Sequence, residues 1–199
     1  MCVKIARCCG TQSAVNEEPN DLYHVSDEAG IRVFDPRPLK PGEEPLVWAI
    51  DADHLPNYLL PRDCPRVTFF AGPETSRDDA ERFLLGTTAN RIVAIESAWL
   101  ERVRSERVVR YGFSPEGFEL RDLTAGYHVS RSAVKPAGEV ILGDLLQALL
   151  DCGAELRVLP SLWELRERVI HSTLAFSIIR MRNAAPPQRG FDAYRALSP

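Results

Sequence analysis

The chain has 199 residues, 45% of them hydrophobic and 26% charged, which is globular composition and excludes general disorder. Its net charge of −4 argues against a dedicated nucleic-acid binder. The apolar runs, such as Ile92–Ile95, are far too short for a transmembrane helix, and residues 1–10 lack the apolar core of a secretion signal, so the expectation is a cytoplasmic protein.

Residues 1–20 have weak hydrophobic patterning and read as a disordered tail. A strand is expected at 22–26, a Pro-rich loop at 35–45 and a buried strand at 46–50. Asp51 is placed to cap a helix to about residue 60, which Pro61 and Pro65 end. A strand at 66–71 follows, then a helix at 76–85 opened by Ser76 and stopped by Gly86. Residues 91–96 read as a strand and Ser97 as the cap of a helix carrying Trp99, Leu100 and Val103.

Residues 107–113 and 117–121 suggest a hairpin, and 126–130 a further strand. The apolar stripe from 139 to 152 predicts a helix stopped by Gly153. A last strand at 155–159 precedes a long helix from 160 to 183, and 186–199 reads as a second tail. About eight strands and five helices without strict βα alternation predict α+β: one domain over 21–185 with a mixed, largely antiparallel sheet. Trp48, Leu100, Leu146, Leu149, Val158 and Phe176 are the expected core.

Three constellations carry possible chemistry. Tyr23-His24-Val25-Ser26 recurs as Tyr127-His128-Val129-Ser130. On strands each His shares a face with its Ser, so neighbouring strands would place two imidazoles in one cleft. Two imidazoles facing a phosphate supply a general acid and a general base, an arrangement that resembles the two-histidine phosphoesterases. Next, residues 57–66 hold Tyr58, Arg62, Cys64 and Arg66 in a loop fixed by Pro61 and Pro65, with the two arginines flanking the thiol. The arginines suit a phosphate or carboxylate, and they would also lower the pKa of a thiol at Cys64. Finally, Arg180 stands among apolar residues near the C-terminus and suits an anionic ligand. The five cysteines show no metal-binding spacing, so no metal is expected. The absence of Gly-x-Gly-x-x-Gly, Walker A, His-Glu-x-x-His and Gly-x-Ser-x-Gly removes several large enzyme classes.

The strings at 22–26, 47–51, 57–69 and 177–184 resemble an uncharacterised bacterial family known only as a domain of unknown function. At fold level, a Tyr-His on the first strand, a second strand and then a Tyr-bearing helix resemble ADP-ribosyltransferase-type proteins, which grip NAD with a His-Tyr-Glu triad on a split sheet. The resemblance implies His24 as the triad His, Tyr58 as its Tyr, and NAD as the ligand. The third strand, at Gly126-Tyr127-His128, has no Glu, and Glu119 and Glu139 lie on either side of it. A transferase, a nucleotide binder without transferase activity, a phosphoesterase using His24 and His128, and a non-catalytic interaction module therefore stay open. The common expectation is a phosphate-bearing small molecule held by Arg62, Arg66 and Arg180.

Overall fold

The computed structural model describes residues 22–187, so both predicted tails lie essentially outside the described residues. The fold is α+β, with ten strands in two sheets and four α-helices among those residues. In the first sheet, β1 (Leu22–Ser26) lies between β2 (Val47–Asp51) and β5 (Val108–Phe113). Beyond β2 come β7 (Tyr127–Ser130) and the edge strand β6 (Glu119–Asp122), and beyond β5 the other edge, β8 (Gly138–Leu142). All its pairings are antiparallel. The second sheet runs β10 (Ala175–Ile179), β3 (Arg66–Phe70), β4 (Arg91–Glu96), β9 (Ala154–Leu159). It is mixed, because β4 and β9 are parallel while the other pairs are antiparallel.

Strand composition explains this order. β4 reads Arg-Ile-Val-Ala-Ile-Glu and is buried at every position, as a central strand covered on both faces must be. β6 reads Glu-Leu-Arg-Asp, is exposed throughout and occupies an edge, where charge discourages further pairing. This corrects the predicted hairpin of 107–113 with 117–121. The mostly buried β5 takes an interior place between β1 and β8, and β6 pairs with β7 instead.

Three clusters fill the space around the sheets. One lies between them and joins Tyr23 and Val25 of β1 and Val108 of β5 to Val93 and Ile95 of β4. The helices α2 (Leu100–Ser105) and α3 (Leu145–Asp151) add Val103, Leu145 and Leu149 to it, and the segment 55–60 adds Leu55, Leu59 and Leu60. A second cluster covers the far face of the second sheet with α1 (Arg77–Leu84) and α4 (Trp163–Ile170). A third covers the far face of the first sheet, where Phe34 meets Tyr111 and Phe113 edge-on. Among the described residues no helix is long and apolar enough to cross a membrane.

Other expectations need correction. The helix predicted at 51–60 is one 3-10 turn, Leu55–Tyr58, because Pro56 would stand inside the predicted helix with no N–H to donate and is tolerated only in a first turn. The stripe at 139–152 divides: Val140 and Ile141 extend along β5, and Asp144 then caps α3 by accepting from the Gln147 N–H at 2.9 Å. The long C-terminal helix stops at Ile170. Thr173 turns the chain by bonding the Asp79 carboxylate, and the alternating Ala-Phe-Ser-Ile-Ile run becomes β10.

Of the expected core, Leu149 is fully buried, whereas Trp48, Leu100 and Leu146 are half-buried. Val158 and Phe176 are 39% and 44% exposed, because β9 and β10 are the edges of their sheet. Leu149→Ala is therefore expected to cost about 2–5 kcal/mol in denaturant unfolding, and Phe176→Ala about 1 kcal/mol or less. The reverse order would show that the core is misplaced.

Candidate functional site

The ladder between β1 and β2 holds only the Leu22–Asp51 and Tyr23–Ile50 pairs, whereas β1 and β5 pair over five residues. Where the first ladder ends, the His24 side chain bridges the strands. Its Nδ1 lies 3.0 Å from the Trp48 carbonyl oxygen, and its ring packs on Phe34 at 5.0 Å. A carbonyl only accepts, so Nδ1 carries the proton and donates, and in the neutral ring Nε2 keeps its lone pair. Burial lowers the His24 pKa, and Arg62 adds to that, against the opposing pull of the Trp48 carbonyl. The imidazole is therefore neutral at pH 7.

A cleft of about 210 Å³ opens beside this bridge. Tyr23, Trp48 and Tyr127 form the wall belonging to the first sheet, and Tyr58, Arg62, Arg66 and Arg180 form the other. Arg66 is the unusual member, being only 3% exposed. Its Nε donates to the Asn57 carbonyl at 2.8 Å, and its Nη1 to the carbonyls of Cys64 and Pro61 at 2.9 and 3.3 Å. No carboxylate pairs with it among the described residues. Burial lowers its pKa to about 10, so it is charged at neutral pH.

Arg62 is exposed at the cleft's rim. Arg180 follows β10 and has a left-handed backbone with φ 57°, the one positive φ outside glycine among the described residues. Its guanidinium reaches the Arg62 carbonyl at 3.3 Å and stands 3.9 Å from Asp63, a loose pairing. Of the residues lining the cleft, Asp27 is the one acid.

The loop that holds Arg66 is fixed from both ends. Tyr58 and Tyr127 join their hydroxyls at 2.5 Å, and burial together with this bond keeps the Tyr58 phenol neutral. Asn57 is buried, and its side-chain oxygen accepts from Arg91 Nη1 at 2.9 Å while its carbonyl accepts from Arg66. Arg91 also donates to the Asp53 carbonyl and lies 4.1 Å over the Phe70 ring. Asp51 Oδ1 accepts from the His54 backbone N–H at 2.9 Å and from its ring at 2.7 Å. Burial acts to raise the Asp51 pKa, but the His54 bonds hold it below the usual carboxylate value. Gly126 packs against this pair with φ +69°, and a Cβ there would fall 2.2 Å from His54 Nδ1.

Five of the predicted site residues, His24, Tyr58, Arg62, Arg66 and Arg180, thus line one cleft. His128 does not. Its strand is separated from β1 by β2, so the two histidines are not on neighbouring strands, and it is not among the residues that line the cleft. Its repeat partner Ser130 is buried and bonds Ser132. The paired-histidine cleft is therefore not formed, and Tyr127 of the same repeat is the cleft residue.

Cys64 is also corrected. It is 0% exposed, and burial pushes its thiol up to about 12 against the pull of Arg66 and Arg102. Glu119 bonds Arg131, Glu139 bonds the Gly30 N–H, and neither lines the cleft. No group of ligating side chains fit for a metal occurs among the described residues.

The chain is thus an α+β protein with an arginine-walled, aromatic cleft between its two sheets. Residues 23–184 match the family described as a family of unknown function, DUF6886, and the chain belongs to that family. No curated protein and no solved structure matches it.

Burial of Cys64 has a direct readout. In the native full-length protein at pH 8, iodoacetamide is expected to leave the Cys64 peptide unmodified and to alkylate it only in denaturant. Native labelling at the rate of a free thiol would contradict the packing around Arg66.

Proposed function

We propose that the cleft binds a phosphate-bearing nucleotide of the NAD or ADP-ribose kind. The observation that carries this reading is Arg66, a buried guanidinium with no carboxylate partner. A buried charge is costly unless it is paired, and carbonyl oxygens solvate the cation without cancelling its charge. Nη2 has no bond among the described residues, and the residue lines the cleft. An anionic ligand group would complete it, and a guanidinium suits the oxygens of a phosphate. Arg62 and Arg180 add two further cations at the same wall.

The remaining lining suits the rest of a nucleotide. Tyr58, Tyr127 and Trp48 offer ring surfaces for a base. Neutral His24 offers an acceptor for a hydroxyl. His24 and Tyr58, the two residues that the ADP-ribosyltransferase resemblance singles out, both line the cleft. Neither Glu119 nor Glu139 joins them, so the proposal is nucleotide binding and not group transfer.

The test is calorimetric titration of the full-length protein with NAD, ADP-ribose and 2′,3′-cyclic nucleotides, repeated on His24→Ala and Arg62→Ala. NAD or ADP-ribose is expected to bind the wild type, with affinity reduced about tenfold or more in each variant. If no nucleotide binds the wild type, or if both variants bind unchanged, the reading fails.

A further inference from the structure

Two buried side-chain polar atoms among the described residues have no hydrogen-bond partner: Thr68 Oγ1 and Trp48 Nε1. Of the two residues, only Trp48 lines the cleft. A buried donor without an acceptor keeps the full cost of leaving water, so native folds rarely keep one. The fold meets this need elsewhere: Trp163 Nε1 donates to the Ala185 carbonyl at 2.7 Å. Trp48 is held by its backbone carbonyl, which accepts from His24, and by an edge-on contact with Tyr127 at 5.5 Å. Its indole N–H is left over.

We infer that Trp48 Nε1 is the cleft's base-reading donor: on binding, the indole turns and donates to an acceptor on the ligand's heterocycle. This rests on the nucleotide-binding reading above. The argument for the base over the phosphate is positional. The Arg66 guanidinium lies 5.9 Å from the Tyr58 ring centre, the Tyr58 hydroxyl meets the Tyr127 hydroxyl, and the Tyr127 ring meets Trp48. The wall thus runs from a cation, across two aromatic rings, to the Trp48 indole, whose N–H is the unpartnered donor. A ligand with its phosphate at Arg66 and a planar ring over the tyrosines presents that ring's acceptors to Trp48. Adenine, whose N1, N3 and N7 accept hydrogen bonds, is such a heterocycle. The indole N–H is covered in the structure, so the turn is part of the inference.

The experiment compares Trp48→Phe with wild type in the full chain, using ADP-ribose and the baseless probe ribose 5-phosphate. Phenylalanine keeps an aromatic ring and removes the N–H. ADP-ribose affinity is expected to fall about tenfold and that of ribose 5-phosphate to stay unchanged. In the wild type with ¹⁵N-labelled tryptophan, the Trp48 indole proton, assigned by loss of signals in Trp99→Phe and Trp163→Phe, is expected to move downfield with ADP-ribose. This second measurement decides the matter if Trp48→Phe does not fold. Unchanged ADP-ribose affinity in Trp48→Phe, equal loss for both probes, or a stationary indole proton in a wild type that binds would overturn the Trp48 inference and leave the cleft reading intact. No binding of either probe by the wild type would overturn both.

Discussion

A guanidinium buried without a counter-charge is the constraint around which this protein's cleft is organised. Arg66 begins β3, but its side chain turns back into the loop that precedes it, where the carbonyls of Asn57, Pro61 and Cys64 converge on it. Three carbonyls meet at one point only if the loop is stiff. Pro56, Pro61 and Pro65 limit its conformations, and Leu55, Leu59 and Leu60 anchor it in the core between the sheets. The loop is therefore built around the cation, and the residues it carries into the cleft, Tyr58 and Arg62, take their places from it.

The same burial decides the chemistry of the neighbours. Desolvation opposes charge more strongly at Cys64 and Tyr58 than the nearby arginine favours it, so both stay in their neutral forms. His24 is neutral for the same reason. The cleft thus presents fixed positive charge on guanidinium groups and, Asp27 apart, neutral groups elsewhere. The proposed anionic, ring-bearing ligand would meet that combination of groups. The second support is mechanical: Arg91, stacked on Phe70 of the second sheet, holds the side chain of the asparagine whose carbonyl holds Arg66.

Much of this was legible in the chain, and the failures share a cause. The α+β class, most strand positions and the Ser76 cap follow from local patterns, and Ser76 Oγ does accept from the Asp79 N–H. The long helix at 160–183 failed because Leu, Val and Ile fit either period, and the switch at Thr173 depends on Asp79, distant in sequence. His24, Tyr58, Arg62, Arg66 and Arg180 were readable as candidates because polar residues in apolar or Pro-bound surroundings are informative. His128 fails because strand order is non-local: β2 separates it from β1, and its neighbour Tyr127 lines the cleft instead. Asn57 and Arg91 left no local signal, since their importance comes from contact with Arg66 and with each other. Cys64 was misread because adjacent arginines are visible in sequence and complete burial is not.

The central claim is that Arg66 is a buried cation whose missing counter-charge belongs to a ligand phosphate. The most direct test is a crystal structure of the full-length protein grown with ADP-ribose. The account predicts a phosphate oxygen within hydrogen-bond distance of Arg66 Nη2, at about 2.7–2.9 Å, with the three carbonyl bonds to Nε and Nη1 retained. ADP-ribose bound with its phosphates away from Arg66, or density for it only outside the cleft, would contradict it.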